Sequence, residues 1–247
     1  MRVRALLCLL TILGLFGTHV SAAPGIPAVV ALAAQNDALS TAGVIVHERH
    51  MSVSAVAGPA HFSESNDALL LLSDGAFRHI HFVHMMENGK ALAPDQISKR
   101  ESENNGEFER GTGFFKQPYD RRYLTDYAYT VLPSCDCPSG QVAVRFTSAL
   151  HDDQHGAGEM HIDAASGRVI DLTYAPFVFP DHANAGTVSE TFGEPLPGLW
   201  TIVRIDKSYT GRVLFVSGHG TASETLDNFH RFSDADAGFA FVRTASL

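Results

Sequence analysis

Histidines are concentrated in short stretches where their spacing could support metal binding. The stretch HIHFVHMM contains His79, His81 and His84. In a β-strand, successive side chains point to opposite faces, so His79 and His81 share one face and His84 lies on the other. Two imidazoles on one face can bind a metal ion, but a third ligand has to come from elsewhere in the chain. The alternative is structural, because histidine also suits the half-polar rim of an apolar wall.

A second stretch, HDDQH, places two carboxylates between His151 and His155. On a helix this spacing would bring both histidines to one side. The stretch lies between two predicted strands and is followed by glycines, which favours a solvated loop. HERH, which begins at His47, is a weaker signal of the same kind. The sequence therefore predicts no metal and no cofactor, with a metal site as the alternative. Its ligands would be His79, His81, His151 and His155.

The sequence contains no signature of nucleophilic catalysis. There is no Gly-x-Ser-x-Gly elbow and no glycine loop that could bind a phosphate. Cys135 and Cys137 could act as nucleophiles only if they were not bridged and lay in electropositive surroundings. In an oxidising compartment we expect this pair to form a disulfide, while free thiols and metal ligation are the alternatives. We expect no enzymatic activity, and a hydrolase is the less favoured reading.

The N-terminus has the three-part pattern of a secretory signal peptide over residues 1–22. A basic start precedes an apolar run at residues 5–16, and small residues follow. We expect cleavage after Ala22, because cleavage one residue later would place a proline directly beyond the bond. A retained anchor is disfavoured, since the apolar run is shorter than the roughly 20 residues that span a bilayer. The sequence predicts export to the periplasm or the extracellular space, with no membrane span after signal removal.

Composition restricts the classes of partner. The chain has 247 residues and a formal net charge of −9, with no basic cluster. This balance argues against binding to nucleic acid and to anionic membrane surfaces. All-β proteins of this length often form one domain, and no linker interrupts the sequence. We therefore expect a single domain over residues 23–247.

Turn residues and alternating patterns predict a mainly β chain that begins with a helix over Pro27–Ser40. The helix has a stripe formed by Val29, Leu32, Asn36 and Leu39. Asn88-Gly89 after an apolar run predicts a hairpin. EMHIDAASGRVIDLTY predicts a further pair of strands, as does LWTIVRID with GRVLFVSGHG. Residues 94–113 are polar, and we expect them to form a mobile flap with at most one or two helical turns.

Several predicted strands are apolar on both faces. In an antiparallel sheet with one solvated face, apolar and polar residues should alternate. A sheet without that alternation must cover its second face, because soluble proteins avoid large exposed apolar patches. The economical solution is a strongly curved antiparallel sheet that forms an incomplete β-barrel. The N-terminal helix and the flap would cover its open side and leave a hydrophobic pocket.

The second half of the chain has a characteristic order of turns and strand edges. The segments concerned are Met160-His161-Ile162-Asp163, Ser166-Gly167, Gly198-Leu199-Trp200, and Phe229 with Phe232. Over residues 120–233 this order resembles the LolA-like superfamily, which includes periplasmic outer-membrane lipoprotein carriers and the RseB-type lipoprotein-sensing domain. His161 stands where that family usually has Trp. The resemblance implies a highly curved, incomplete antiparallel barrel whose mouth is closed by helices around a cavity for acyl chains.

These features predict an exported cell-envelope protein that binds a hydrophobic ligand in a half-barrel cavity, as a carrier or a sensor. Its partners would be lipid or lipoprotein acyl chains, together with a protein of the envelope. The flap at residues 94–113 would open and close the mouth. The residues expected to line the cavity are Phe77, Phe82, Val83, Met85, Val144, Phe146, Trp200, Leu214 and Phe215.

Overall fold

The computed structural model describes residues 25–179, 183–213 and 216–244. The signal peptide expected over residues 1–22 lies outside them. The α-helices of the described part are α1 (Ala28–Ser40), α2 (Pro94–Arg110) and α3 (Ala235–Thr244). Its strands are β1 (Val44–Ala57), β2 (Ala60–Ser73), β3 (Ala76–Glu87), β4 (Lys90–Ala91), β5 (Tyr127–Val131), β6 (Gln141–Ser148), β7 (Gly156–Asp163), β8 (Val169–Pro176), β9 (Ala183–Leu196), β10 (Leu199–Val213) and β11 (Val216–Phe232).

The strands form one 11-stranded sheet in the order β4-β3-β2-β1-β11-β10-β9-β8-β7-β6-β5. Every neighbouring pair is antiparallel, and the pairing of β1 with β11 joins the first strands to the last one. The sheet is curved and open, because β4 and β5 form its two edges and do not pair with each other. The predicted fold class, a mainly β chain with an incomplete antiparallel barrel, is confirmed.

Helix α1 covers one face of the sheet, which we call the inner face. Val30 and Ala33 are buried in a cluster with Met160 and Ile162 of β7. The helix begins at Ala28, one residue after the predicted start at Pro27, which is its N-cap. Its buried stripe differs from the predicted one, since Leu39 is 67% exposed. The prediction failed because the small residues beside the stripe allow the helix to approach the sheet closely.

Helix α2 occupies the segment that was predicted to be a flap. It has 17 residues, where one or two turns were expected, and Gly111 ends it in the left-handed conformation with a φ of 70°. The helix lies along the free edge of β3. Asn105 Nδ2 donates to the carbonyl of Ile80, whose N–H donates to Asn105 Oδ1, and the N–H of Phe82 donates to Glu101. These side chains satisfy an otherwise unpaired strand edge, which explains why a polar sequence forms a packed helix.

Helix α3 packs against the opposite, outer face and had no counterpart in the sequence interpretation. Its Val242 is buried with Leu69 and Leu71 of β2. Leu70, between them, points to the inner face and packs with Phe82 near α2. The two apolar faces of β2 are therefore each covered by a helix, so at this strand apolarity on both faces does not mark an unfilled hollow.

The last two strands are longer than the sequence indicated. LWTIVRID and the residues after it form one strand, β10, of 15 residues, and β11 has 17 residues. The hairpin predicted between residues 206 and 211 is wrong, because Gly211 continues the ladder opposite Gly218. The hairpins at Asn88-Gly89 and Ser166-Gly167 form as predicted. Asn88 has the positive φ that the first of these turns requires.

Because both faces of β2 are buried, truncating either of two adjacent leucines should lower the free energy of unfolding by a similar amount. Leu70→Ala and Leu71→Ala should each lower the free energy of unfolding by about 2–5 kcal/mol, because each removes a leucine that is nearly inaccessible to solvent. Denaturant unfolding measures both values. Thr147→Ala, at an exposed position of β6, should change stability by less than about 0.5 kcal/mol. A negligible effect of either leucine variant would contradict two-sided burial.

Candidate functional site

The five longest strands extend beyond the helices and form an apolar cleft on the inner face. We call the sheet end at the β1–β2 turn, residues 57–60, the distal end. The cleft lies there and has a volume of about 500 Å³. Its walls come from β1, β2, β9, β10 and β11. The lining residues are Val53, Ala55, Val56, Ala57, Ala60, His61, Phe62, Ala183, Tyr209, Thr210, Gly211, Arg212, Gly218, His219, Gly220, Thr221 and Ala222.

Strand register explains the shape of the cleft. One row across the inner face consists of Phe62, Ala55, Gly220, Tyr209 and Gly186, in strand order from β2 to β9. The two aromatic side chains stand on strands that are three spacings apart, or roughly 14 Å. Between them the floor carries only a methyl group and a hydrogen atom. A Cβ at Gly186 would lie 2.2 Å from the Tyr209 ring, so glycine is required for the ring to lie against β9.

The next row towards the distal end consists of small residues as well, with Ala57 opposite Gly218. A Cβ at Gly218 would lie 2.9 Å from the carbonyl oxygen of Val56, so no larger residue fits there without a shift. A Cβ at Gly220 would have only ordinary contacts, the nearest being 3.5 Å from Ala55. A larger side chain would therefore fit at Gly220, and the cleft is deep at this point only because the residue is glycine.

The two faces of the distal strands differ in polarity. On β1 the outer face carries Ser52 and Ser54, which are exposed, while Val53 and Ala55 on the inner face are half-buried. On β11 small residues alternate in the same way with exposed polar ones. This is the pattern of a sheet with one sheltered face. The alternation in SVSAVA and GHGTAS is the sequence signal that could have located the cleft, and it was missed because alanine and glycine carry little hydrophobic weight.

A belt of paired charges separates the cleft from the helix-covered core. Lys207 Nζ lies 2.6 Å from Glu224 Oε1, and Arg49 Nη1 lies 3.9 Å from Glu224 Oε2. Arg49 also donates to Asn66 at 2.9 Å. In the adjacent row, which contains Val53, Glu64 of β2 accepts from Arg100 of α2 at 2.8 Å. Glu224 is only 5% exposed, so its charge depends on these partners.

The buried side chain of Glu190 binds the connection between α2 and β5, which packs on the inner face over the helix-covered core. Gln117, in the connection between α2 and β5, donates to both carboxylate oxygens of Glu190 at 3.0 Å. Phe115 of the same connection stacks on Tyr174 with 3.8 Å between ring centroids. Burial raises the pKa of Glu190 to about 7. Burial also lowers the pKa of His47, on the neighbouring part of the inner face, to about 3, so this imidazole is neutral.

Five of the nine residues predicted to line a cavity belong to two packed clusters. Phe82 and Met85 are buried beneath α2, and Phe77 stacks on Phe108 of that helix. Val144 and Phe146 are buried in the cluster beneath α1. None of these five lines the distal cleft. Direct ligand contact by them stays a prediction, because it would require α1 or α2 to move.

The other four predicted lining residues are placed differently. Trp200 donates from Nε1 to the carbonyl of Val169 at 2.7 Å and lines a cavity of about 210 Å³ beside α1. Phe77, which belongs to the first five residues, also lines a cavity, and the volume of that cavity is about 100 Å³. Val83 forms a bulge between Phe82 and His84 and is partly exposed. Leu214 and Phe215 lie outside the described residues.

The four histidines of the metal alternative do not come together. His79 contacts Phe239 of α3, and His81 lies 2.9 Å from Glu101 of α2. His151 stacks on Phe177, and the fully buried His155 lies 2.6 Å from Asp152 Oδ1. The hypothesis of one site shared by these four residues therefore has no geometric support. Each imidazole is used in local packing or in a contact with a carboxylate.

The two cysteines lie in the turn that precedes β6. The structure joins Cys135 to Cys137, so the ring includes only Asp136 between them. Such a bridge stabilises the local turn and links no separate elements. It lies far along the sheet from the distal cleft, beside the edge strand β5.

Comparisons with known proteins concern the fold. No family model and no curated protein matches the chain. A DUF1329 family protein from Desulfovibrio piger is similar, with a TM-score of 0.42, 11% identity, and coverage of 87% of this chain and 97% of that chain. A domain from Vibrio parahaemolyticus named for outer membrane lipoprotein sorting gives a TM-score of 0.42, 10% identity, and coverage of 83% and 93%.

A LolA superfamily protein from Nitrosomonas europaea gives a TM-score of 0.38 and 9% identity, with coverage of 84% of this chain and 95% of that chain. The open antiparallel sheet described above, with helices on its inner face, has the architecture that the sequence resemblance implied. At identities of 9–11% and TM-scores of 0.38–0.42, these likenesses carry no argument about this chain, so its function has to be derived from its own residues. Across the described ranges, no helix combines the length and apolarity needed to cross a membrane.

The raised pKa of Glu190 predicts a pH-dependent stability. The carboxyl binds a proton more tightly in the folded state, where its pKa is about 7, than at its ordinary value of 4.5. Stability should therefore fall as the pH rises through this window, by an amount on the order of 2–3 kcal/mol. Glu190→Gln removes this titration, so the variant should gain stability relative to the parent between pH 5 and pH 8.

Denaturant unfolding at both pH values tests this expectation. Glu109→Gln, at an exposed position of α2, is the matched control for removal of one carboxylate. A difference between Glu190→Gln and the parent that is the same at pH 5 and pH 8 would contradict the assignment.

Proposed function

We propose that the protein binds an apolar ligand, such as an acyl chain of a lipid or lipoprotein, in the distal cleft. The observation that carries this proposal is the combination of volume and lining. A space of about 500 Å³ lies within the range typical of small-molecule sites, and its walls are almost entirely apolar. Burying roughly 200 Å² of an acyl chain would contribute about 5 kcal/mol. The cleft would then act passively, by sheltering the chain from water.

The charged belt gives the cleft a fixed inner end. Lys207 lies in the same row as Val53 and Ala222, and Glu224 lies one row beyond them, so an apolar chain would stop at this row, where the paired charges begin. The helix-covered core lies on the far side of this belt. A ligand would therefore enter from the distal end or from the open side of the inner face. The flap role expected for residues 94–113 is a separate matter, since α2 covers β3 and not the cleft.

A carrier or sensor role in the cell envelope is part of the proposal. It combines the signal peptide expected at residues 1–22 with a site for hydrophobic chains. The envelope protein that would deliver or receive the ligand stays a prediction. The hydrolase alternative is tested separately, by assaying turnover of a panel of esters and peptides.

Two substitutions on adjacent residues of β1 test the cleft. Ala55→Phe should fill the floor between Phe62 and Tyr209 and weaken binding of a fluorescent fatty acid at least tenfold, because the added ring occupies the space of the ligand. Ser54→Phe adds the same ring on the outer face and is the matched control. Its binding should change by less than about twofold. Fluorescence titration measures both affinities.

Folding of the two variants has to be matched before they are compared. Circular dichroism and thermal unfolding should give similar results for both, since position 54 is exposed and position 55 borders open space. Equal affinity of the Ala55→Phe variant and the parent would contradict binding in the cleft. Absence of any binding by the parent would remove the proposed function altogether.

A further inference from the structure

We propose that Glu48, His50 and Asp227 bind a divalent transition-metal ion such as Zn²⁺ on the outer face of the sheet. One ligand atom from each residue lies within 4.8 Å of the other two. His50 Nε2 is 3.3 Å from Asp227 Oδ1 and 3.7 Å from Glu48 Oε2. Atoms that bind one ion tetrahedrally at about 2.0–2.2 Å lie roughly 3.3–3.5 Å apart. His50 Nε2 therefore already lies at nearly coordination spacing from both carboxylates, and the two carboxylates offer oxygens within 4.8 Å of each other.

A β-bulge creates this juxtaposition. The register of β1 and β11 shifts between Val46, which pairs with His230, and Glu48, which pairs with Asp227. Two residues of β11, Asn228 and Phe229, therefore stand opposite the single residue His47, and Asn228 has a φ of 46°. Bulges of this kind redirect side chains and are frequent beside functional sites. Here the shift places two carboxylates directly opposite each other on the outer face.

The charge balance of this group calls for a cation. Like charges directly opposite in an antiparallel pair are destabilising. In the ranges that the structure describes, no lysine or arginine forms an ion pair with Glu48, Asp67 or Asp227; their ionic partners there are His50 and His84. Asp227 Oδ1 is itself shielded from solvent and accepts no hydrogen bond from the residues that the structure describes, although the Asp227 side chain as a whole is 48% exposed. A metal ion between Glu48 and Asp227 would neutralise the pair and satisfy this oxygen.

The imidazole is held in the orientation that a ligand needs. His50 Nδ1 lies 2.7 Å from Asp67 Oδ1, the distance of a hydrogen bond in which the ring donates. In the neutral ring this leaves the lone pair on Nε2, which faces Glu48 and Asp227. A carboxylate behind a histidine ligand is the usual outer-sphere arrangement in metal sites. Asn228 Nδ2 donates to Glu48 Oε2 at 2.9 Å and fixes that carboxylate.

The position of the group suggests a structural effect for the ion. β1 and β11 are the strands whose pairing joins the N-terminal strands to the C-terminal part of the sheet. An ion held by residues of both strands would link them. Because it would bind only the folded chain, it should stabilise the protein against unfolding.

Zinc titration of protein without an affinity tag, after treatment with a chelator, tests the proposal. Isothermal titration calorimetry should give one tightly bound ion per chain, and Zn²⁺ should raise the Tm. His50→Ala and Asp227→Asn should each weaken this binding at least tenfold and abolish the shift in Tm. Asp67→Asn should weaken it about 10–100-fold, because Asp67 positions the imidazole without binding the ion.

His151→Ala is the matched control, since it removes a histidine that stacks on Phe177 away from this group. Its affinity for Zn²⁺ should equal that of the parent. Unchanged affinity and stoichiometry in both His50→Ala and Asp227→Asn would overturn the proposal, as would the absence of a stoichiometric ion in the parent. If His50→Ala does not fold, Glu48→Gln and Asp227→Asn decide the outcome, because they preserve side-chain shape.

Discussion

A wide open sheet must shelter an apolar inner face, and this chain has few helices with which to do so. α1 and α2 cover the inner face away from the distal end, and α3 covers part of the outer face. The distal parts of β1, β2, β9, β10 and β11 project beyond them. There the sequence reduces exposed apolar surface by using small side chains. The resulting concavity is the distal cleft, which is partly sheltered by the sheet itself.

The charged belt explains how a filled core and an open cleft coexist on one face. Glu224 is buried, and it is paired with Lys207 and Arg49 from the neighbouring strands. Removing one partner of a buried ion pair is strongly destabilising, because the remaining charge is left buried without compensation. The belt therefore fixes the boundary at which core packing ends. Glu48 and Asp227 lie half-buried on the outer face of the same two strands, so the β1–β11 pair carries polar groups on both faces.

Local turn signals made much of the fold predictable. Asn88-Gly89 and Ser166-Gly167 specify hairpins because residues in these turns adopt positive φ angles. The strands on either side of each turn could therefore be predicted as antiparallel pairs. The length of α2 was not predictable from apolar periodicity, because Glu101 and Asn105 attach it to a strand edge through hydrogen bonds. The sequence divided β10 between LWTIVRID and GRVLFVSGHG, but the residues between these two segments continue the ladder with β11.

The candidate sites were harder to predict than the fold, for two physical reasons. The cleft is defined by what its floor lacks, and residues such as Ala55 and Gly220 give no hydrophobic signal of their own. The outer-face group depends on a shift in strand register, which places Asp227 opposite Glu48 although the two are far apart in sequence. Large apolar residues that were predicted to line the cavity, such as Phe82 and Phe146, are buried in the packed core.

The most direct measurement is to map where a photoactivatable fatty acid attaches to the protein. After irradiation and digestion, mass spectrometry should find saturable labelling within Val53–Phe62 and Gly218–Ala222, and excess unlabelled fatty acid should prevent it. Labelling confined to Phe77–Met85 would place the ligand beneath α2 and contradict the cleft. Labelling that does not saturate would show that the protein has no specific site for an acyl chain.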